Sequence, residues 1–295
     1  MPKKVNVFFS VVIPALNEEK YLPNLLVDLS SQTYSDFQVI VVDGNSEDKT
    51  VEESSKFKSK FKKFTILQSD RRNVSYQRNL GAKSAIGKWI IFMDADNRLP
   101  DYFLDGIRYQ IAKTKCDIFT TYCEPDTNNA GDKLVTQSIN AVLEIAQFLE
   151  KPSAQGAMIG VTNEGFYKIG GFDTEFIPSE DKMFVRAAIK KGLEFLIFKE
   201  PRYIFSMRRY KKIGHLKTIK NYLDINFQDE INGSKRKSLE YKMGGHLFNQ
   251  DKKDKKLETE DFKRLFKEIS NQKTFKGKVE ILLKFIKHNQ SLIKI

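Results

Sequence analysis

The sequence predicts an α/β fold: a mostly parallel sheet flanked by helices, with a basic, mostly helical C-terminal extension. Three observations predict it. Apolar, β-rich runs alternate with amphipathic runs through the first 120 residues. The apolar runs are continuous rather than alternating, as in strands covered on both faces. The charge is also divided unevenly. The 295 residues carry a net charge of +12, yet 24 Lys and Arg face 11 Asp and Glu from Arg202 onward, against 26 and 27 before it. A near-neutral body thus precedes a basic segment that attracts polyanions such as nucleotide phosphates, anionic membrane or nucleic acid.

The elements follow in order. "VFFSVVI" (7–13) reads as a strand. "EEKYLPNLLVDLSSQ" (18–32) places Tyr21, Leu22, Leu25, Leu26 and Leu29 at helical spacing. "FQVIVV" (37–42) is a strand. "SEDKTVEESSKF" (46–57) is a helix with Ser46 as its cap and acids in its first turn. "FTIL" (64–67) is a short strand, and "VSYQRNLGAKSAI" (74–86) a helix stopped by Gly87. "KWIIFMD" (88–94) is a strand, "LPDYFLDGIRYQIAKT" (99–114) a helix with Pro100 near its first turn, and "DIFTTY" (117–122) a strand. Strands joined through helices of this length imply right-handed crossovers.

Beyond residue 122 the pattern is looser. "KLVTQSINAVLEIAQFLE" (133–150) is helical. "GAMIGVTNEGFYKIGGFDTEF" (156–176), rich in glycine and aromatics, reads as loops and short strands framing a pocket. "SEDKMFVRAAIKKG" (179–192) is a helix with Ser179 as cap and Gly192 as stop, followed by strands at 193–198 and 202–207. The tail shows helical spacing in Phe262, Leu265, Phe266 and Ile269, and again in Val279, Leu282, Leu283 and Ile286. "DKKDKK" (251–256) is linker-like. The division expected is a domain over 1–212, with halves of about 1–122 and 123–212, and an extension over 213–295.

In a parallel sheet, ligands bind at the carboxyl ends of the strands. Here those ends carry "PALNEE" (14–19), "DGNSEDKT" (43–50), "QSDRR" (68–72) and "DADN" (94–97). Each alone is an ordinary turn; four on one rim point to a binding site. Asp94 and Asp96 are one residue apart, so in an extended chain they face one side. They can share a hard divalent cation, Mg²⁺ or Mn²⁺, with phosphate oxygens and water completing the shell. The competing use is as a cap: Asp96 and Asn97 could start the helix near Leu99. Asp43 could accept from a base or a ribose hydroxyl, while Gly44 and Asn45 form the turn.

These stretches resemble a known family. "FFSVVIPALNEEKYLPNLLVDLSSQTYSDFQVIVVDGNSEDKT" is similar to the opening of family 2 glycosyltransferases of the GT-A fold. "RNLGAKSAIGKWIIFMDADNRLP" resembles the approach to their metal-binding DxD motif, and "GGFDTEFIPSEDKMFVRAAIKKG" their acceptor-side stretch. The resemblance covers residues 8 to about 212. It implies an inverting transfer of a sugar from a nucleotide-diphospho-sugar, a UDP-sugar first, to a sugar or lipid-linked acceptor. It implies that Asp96 binds the metal and that Asp94 reaches the metal or the donor ribose. Asp43, with the backbone at Pro14 and Ala15, would hold the nucleoside, and Glu18 would belong to the donor-binding set. Arg71 or Arg72 would sit near the base or diphosphate, and Arg208 and Arg209 in "SMRRYKKIGH" would clamp the diphosphate. Asp181 would be the general base, with Glu180 as second choice. His215 would complete the metal shell in some members; a surface histidine is the competing reading. The first turn of a helix would also favour an ionised Asp181. The QxxRW motif of processive members is absent from the sequence.

Rival readings are a non-catalytic basic module for membrane or nucleic acid, and a sugar nucleotidyltransferase. The second would show a glycine-rich loop after the first strand, where "PALNEE" stands. No aromatic-plus-basic signature supports nucleic acid. Cys116 and Cys123 make no disulfide framework, which points to a reducing compartment. "KKVNVFFSVVIPAL" imitates a signal peptide but lacks a clear cleavage site. No run of about 18 uncharged apolar residues occurs. A cytoplasmic protein is expected, with the tail helices either packed on the body or at the inner face of a membrane.

Overall fold

The computed structural model describes residues 7–148, 150, 152–175, 180–213 and 271. The chain divides into two compact units, Met1–Lys252 and Lys253–Ile295. His215, the charged run at 251–256 and the two tail stripes lie outside the described residues.

The first half alternates as its apolar runs dictate: β1 (Phe9–Ala15), α1 (Leu22–Ser30), β2 (Phe37–Asp43), α2 (Thr50–Ser55), β3 (Phe64–Gln68), α3 (Val74–Lys83), β4 (Trp89–Met93), α4 (Phe103–Lys113) and β5 (Ile118–Pro125). Then come α5 (Ala130–Phe148), β6 (Met158–Thr162), α6 (Asn163–Ile169), α7 (Glu180–Lys190), β7 (Phe195–Phe205) and α8 (Arg208–Ile213). Among the described residues the strands form one sheet in the order β3-β2-β1-β4-β6-β5-β7. All pairings are parallel except those of β6, which runs against both β4 and β5.

Strand residues alternate between two apolar layers. Phe9, Val11, Ile13, Trp89, Ile91 and Met93 face α1 and α4, where Leu22, Leu25, Leu26, Leu29, Phe103 and Ile107 are buried. Val12, Ile40, Val42, Ile90 and Phe92 face α3, α6 and α7 through Ala82, Phe166, Phe184 and Val185. Each fully buried side chain of this size contributes roughly 1.5–3 kcal/mol. Both sheet faces are covered, so the polar strand ends are left to form the rim.

Several local expectations change. Ser46 is not a helix cap: α2 starts at Thr50, and the Ser46 hydroxyl instead donates to Asp43 Oδ1 at 2.5 Å and accepts the Asn17 N–H. Gly87 does not stop α3, which ends at Lys83. Residues 158–169 form a strand and then a helix, capped by Thr162 and ended by Gly170 at φ +97°. The two strands expected at 193–207 are one, β7, whose pairing with β5 shifts register between Thr121 and Cys123.

Candidate functional site

The carboxyl ends of β1 to β4 open on one rim, because these strands are parallel. Two polar groups form on it.

The first lies where β1 and β2 end. Asp43 is fully buried. Its Oδ2 accepts from the Asn45 and Ser46 N–H groups and the Gln68 amide, at 3.0–3.1 Å. The Gly44 N–H donates to the Ala15 carbonyl at 2.8 Å. Asn17 and Asn45 adopt the left-handed region at φ 54° and 65°, which small amide side chains tolerate. Thus the carboxylate expected to meet the nucleoside shapes the loop around it. Arg71 stacks on the Tyr76 ring at 4.8 Å, and Arg72 bonds Glu47 and the Asn45 carbonyl. Arg72 therefore stays with this loop, while Arg71 lies against α3.

The second group surrounds Asp94 and Asp96. After β4 the chain turns sharply: the Asp94 N–H and the Asn97 amide both donate to the Ala157 carbonyl, at 3.0 and 2.6 Å. Neither Asp96 nor Asn97 caps α4, which starts six residues beyond Asn97. Asp96 Oδ2 instead accepts from Arg208 Nε at 2.9 Å. The same guanidinium donates to Glu18 Oε1 at 2.6 Å and lies 4.1 Å from the Tyr21 ring centroid. Burial pushes the Glu18 carboxyl up to about 7 despite Arg208. The other Glu18 oxygen, Oε2, is buried with no hydrogen-bond partner. Arg209 acts on Asp94 by its charge.

Arg78 on α3 joins this group to the acceptor side. Its side chain is 2% exposed. It donates to Asp94 Oδ1 at 3.2 Å, Glu180 Oε1 at 3.0 Å and the Gly156 carbonyl at 2.7 Å. Asp94 keeps 38% of its side chain open, yet sits low enough that burial pushes its carboxyl up to about 6. Asp181 accepts the Gly156 N–H at 2.8 Å through Oδ2 and its neighbour Lys182 N–H through Oδ1. Burial, then the charge of Glu180, pushes Asp181 up to about 7. This corrects the expectation that the helix start keeps Asp181 ionised: the loss of water outweighs the favourable dipole.

Sequence reasoning brought Glu18, Asp94, Asp96, Glu180, Asp181 and Arg208 to this rim. It missed the polar face of α3. Gln77 donates to the Ala15 and Val42 carbonyls. Asn79 exchanges two 2.8 Å hydrogen bonds with the Phe172 backbone, and Asn73 reaches the Thr174 carbonyl. The signal was present as "QRN" in a helix otherwise buried by Gly81 and Ala82.

Among the described residues no group of three or more His, Cys, Asp or Glu is placed to hold a metal. Asp94 and Asp96 offer two hard oxygen donors, both engaged by arginine. That set fits Mg²⁺ or Mn²⁺ arriving with a diphosphate, since such ions commonly take one or two carboxylates plus phosphate oxygens and water. It does not fit a fully caged resident ion.

The comparisons with known proteins agree with this architecture. The model of "Glycosyl transferase family 2" matches residues 10–163. A Methanococcus voltae relative, dolichyl N-acetyl-alpha-D-glucosaminyl phosphate 3-beta-D-2,3-diacetamido-2,3-dideoxy-beta-D-glucuronosyltransferase, is 28% identical over 223 residues, covering 68% of this chain and 66% of that protein. The chain spans 60% and 66% of the length of two such curated relatives. The fold is shared with Staphylococcus aureus TarS 1–349 in complex with UDP-GlcNAc: TM-score 0.55, 19% identity, 68% of this chain and 58% of that one. It is also shared with the mannosyltransferase PcManGT of Pyrobaculum calidifontis in complex with GDP-Man and Mn²⁺: TM-score 0.56, 18% identity, 73% and 65%. The architecture is GT-A, and the chain belongs to glycosyl transferase family 2.

Proposed function

We propose that this chain transfers a sugar from a nucleotide-diphospho-sugar to an acceptor hydroxyl, with inversion at the anomeric carbon. Residues 1–212 form the catalytic domain in this reading. The observation that carries it is the pairing of Asp181, a half-buried carboxyl pushed up to about 7, with the Asp94–Asp96 turn through the Gly156 peptide and Arg78. A base works best with a pKa near the working pH. The acceptor O–H gives its proton to Asp181 while its oxygen bonds to the anomeric carbon. The bond from that carbon to the diphosphate oxygen breaks, and the electron pair leaves with the diphosphate. A single displacement of this kind inverts configuration.

A divalent cation bound with the donor would neutralise the leaving diphosphate. Asp94 and Asp96 would hold it, and Arg208 would turn from Asp96 to the phosphate oxygens. Asp43 and the Ala15 backbone would frame the nucleoside. Relatives and neighbours support a donor of this class: TarS is seen with UDP-GlcNAc and PcManGT with GDP-Man. A UDP-sugar is our first choice. The acceptor is a sugar or a lipid-linked sugar, the second favoured by the dolichyl phosphate in the Methanococcus relative's name and by the basic tail.

The test is a thermal-shift panel of UDP-GlcNAc, GDP-mannose and dTDP-glucose, each with and without Mn²⁺. A ligand that binds only the folded chain raises its stability by mass action. We expect one nucleotide to stabilise, more with Mn²⁺. No shift with any donor at millimolar concentration removes the transferase reading. Retained configuration in the product's NMR spectrum removes inversion alone.

A further inference from the structure

Arg78 has no counterpart among the groups that a sugar transfer requires. It is neither base nor metal ligand, and it lies below the rim on α3. Burying a guanidinium costs much of its hydration, and an apolar side chain of similar volume often serves a fold as well. Its own nitrogens are not fully used either, since Nε is buried without a hydrogen-bond partner. Its placement therefore calls for a reason beyond packing.

The partners supply one. They come from three separate stretches: Asp94 after β4, Gly156 before β6 and Glu180 at the start of α7. Two belong to opposite reactants, Asp94 to the donor side and Glu180 to the acceptor side. The third is a peptide with two ends. The Gly156 carbonyl accepts from Arg78 Nη2 at 2.7 Å, and the Gly156 N–H donates to Asp181 Oδ2 at 2.8 Å. A side chain at 156 would crowd both: its Cβ would meet Asp181 Oδ2 at 3.2 Å and Arg78 Nη2 at 3.3 Å. The Phe172 ring, 5.2 Å from the guanidinium, closes one face.

We infer that Arg78 is a positioning residue for the reaction: one buried guanidinium fixes the donor-side acid Asp94 directly and aims the base Asp181 through the Gly156 peptide. The inference rests on the transferase reading. It adds that donor and acceptor machinery share one support, so that a change at Arg78 misaligns Asp94 and the base together, while Asp96, held by Arg208, still anchors the donor. A displacement of about 1 Å at a reacting group can cost roughly 100-fold in rate.

The experiment uses the full chain with Arg78→Lys and Arg78→Met. Nucleoside diphosphate release is followed from UDP-GlcNAc or GDP-mannose, whichever the wild type turns over, with aryl glycosides as acceptors. Calorimetry measures binding of the matching nucleoside diphosphate with Mn²⁺. We expect Arg78→Lys to fold, to bind that nucleotide within about threefold of wild type, and to lose about 10- to 100-fold in kcat. In Arg78→Met, loss of a nearby positive charge moves the Asp181 titration up by roughly one pH unit. It is read from the acid limb of kcat and from carboxyl ¹³C NMR, assigned with Asp181→Asn. Wild-type kcat in Arg78→Lys overturns the inference. So does a loss of nucleotide binding equal to the loss of kcat, which would make Arg78 a donor ligand. A wild type without turnover counts against the transferase reading; the NMR titration then decides the Arg78–Asp181 link by itself. Should Arg78→Met fail to fold, the titration is read in Arg78→Gln, which also removes the charge, and an unmoved Asp181 there refutes the link.

Discussion

At the residue scale, Asp181 and Glu18 each have a carboxyl pushed up to about 7, and Asp94 one pushed up to about 6, with burial the leading cause in all three. In the unfolded chain such groups ionise near 4. A raised carboxyl holds its proton more tightly in the folded state. Its contribution to stability is fully present below about pH 4 and is lost as the pH climbs through about 7. The melting temperature of the nucleotide-free protein should therefore fall between pH 5 and pH 8. Asp181→Asn, which cannot ionise, should shrink that fall. A wild-type melting temperature that rises over this interval contradicts the assignment. Activity runs the other way: turnover should drop about tenfold per unit below pH 7, as the base becomes protonated.

At the element scale, α3 is the piece that places side chains, and its glycine sets how close it lies. A Cβ at Gly81 would meet Val12 Cγ1 at 2.3 Å and Val42 Cγ2 at 3.0 Å, so Gly81→Ala must lift α3 from β1 and β2. Overpacking of this kind costs about 1–3 kcal/mol. Gly160→Ala is the control, since its Cβ would strike the Phe119 ring at 2.2 Å, away from α3. Both variants should melt earlier. Gly81→Ala should in addition lose turnover at temperatures where it remains folded, because Gln77, Arg78 and Asn79 move with the helix. Equal specific activity in the two folded variants would mean that α3 supports the fold only. This element also shows what the sequence could tell. Strands β1, β2 and β4 were legible because both faces are apolar, and α1 because four leucines share one face. The rim was legible as a list of polar strand ends. Arg78 was not, because helical spacing marks which residues are buried but not that a buried cation has partners 78 and 102 residues away. The reversed direction of β6 was equally hidden, since a fully buried strand looks alike in either orientation. The helix over 163–169 was masked by glycines at 165, 170 and 171, which read as loop.

At the scale of the whole molecule, the rim exists only when the sheet is complete. Arg208 at the start of α8 closes it by reaching Glu18 across 190 residues of sequence and Asp96 across 112. Both acids of the Asp94–Asp96 turn are thereby paired with arginine before any ligand arrives. A bare divalent cation must displace Arg208 from Asp96 and leave that guanidinium buried beside Glu18. A cation bound to a diphosphate brings its own oxygens and offers Arg208 new acceptors, so the exchange is nearly even. Mn²⁺ alone should hence shift the melting temperature by less than about 1 °C. At about 100 times its dissociation constant, UDP with Mn²⁺ should add about 2.7 kcal/mol of stability, which for a chain of this size is roughly 4–5 °C. The combined shift should exceed the sum of the separate ones. Arg208→Met sharpens the test: it frees Asp96, so the response to Mn²⁺ alone should grow, while the response to UDP with Mn²⁺ should shrink for want of a phosphate partner. Asp96→Asn should erase the metal-dependent part of both. A large shift with Mn²⁺ alone in the wild type would show that Arg208 does not guard the turn.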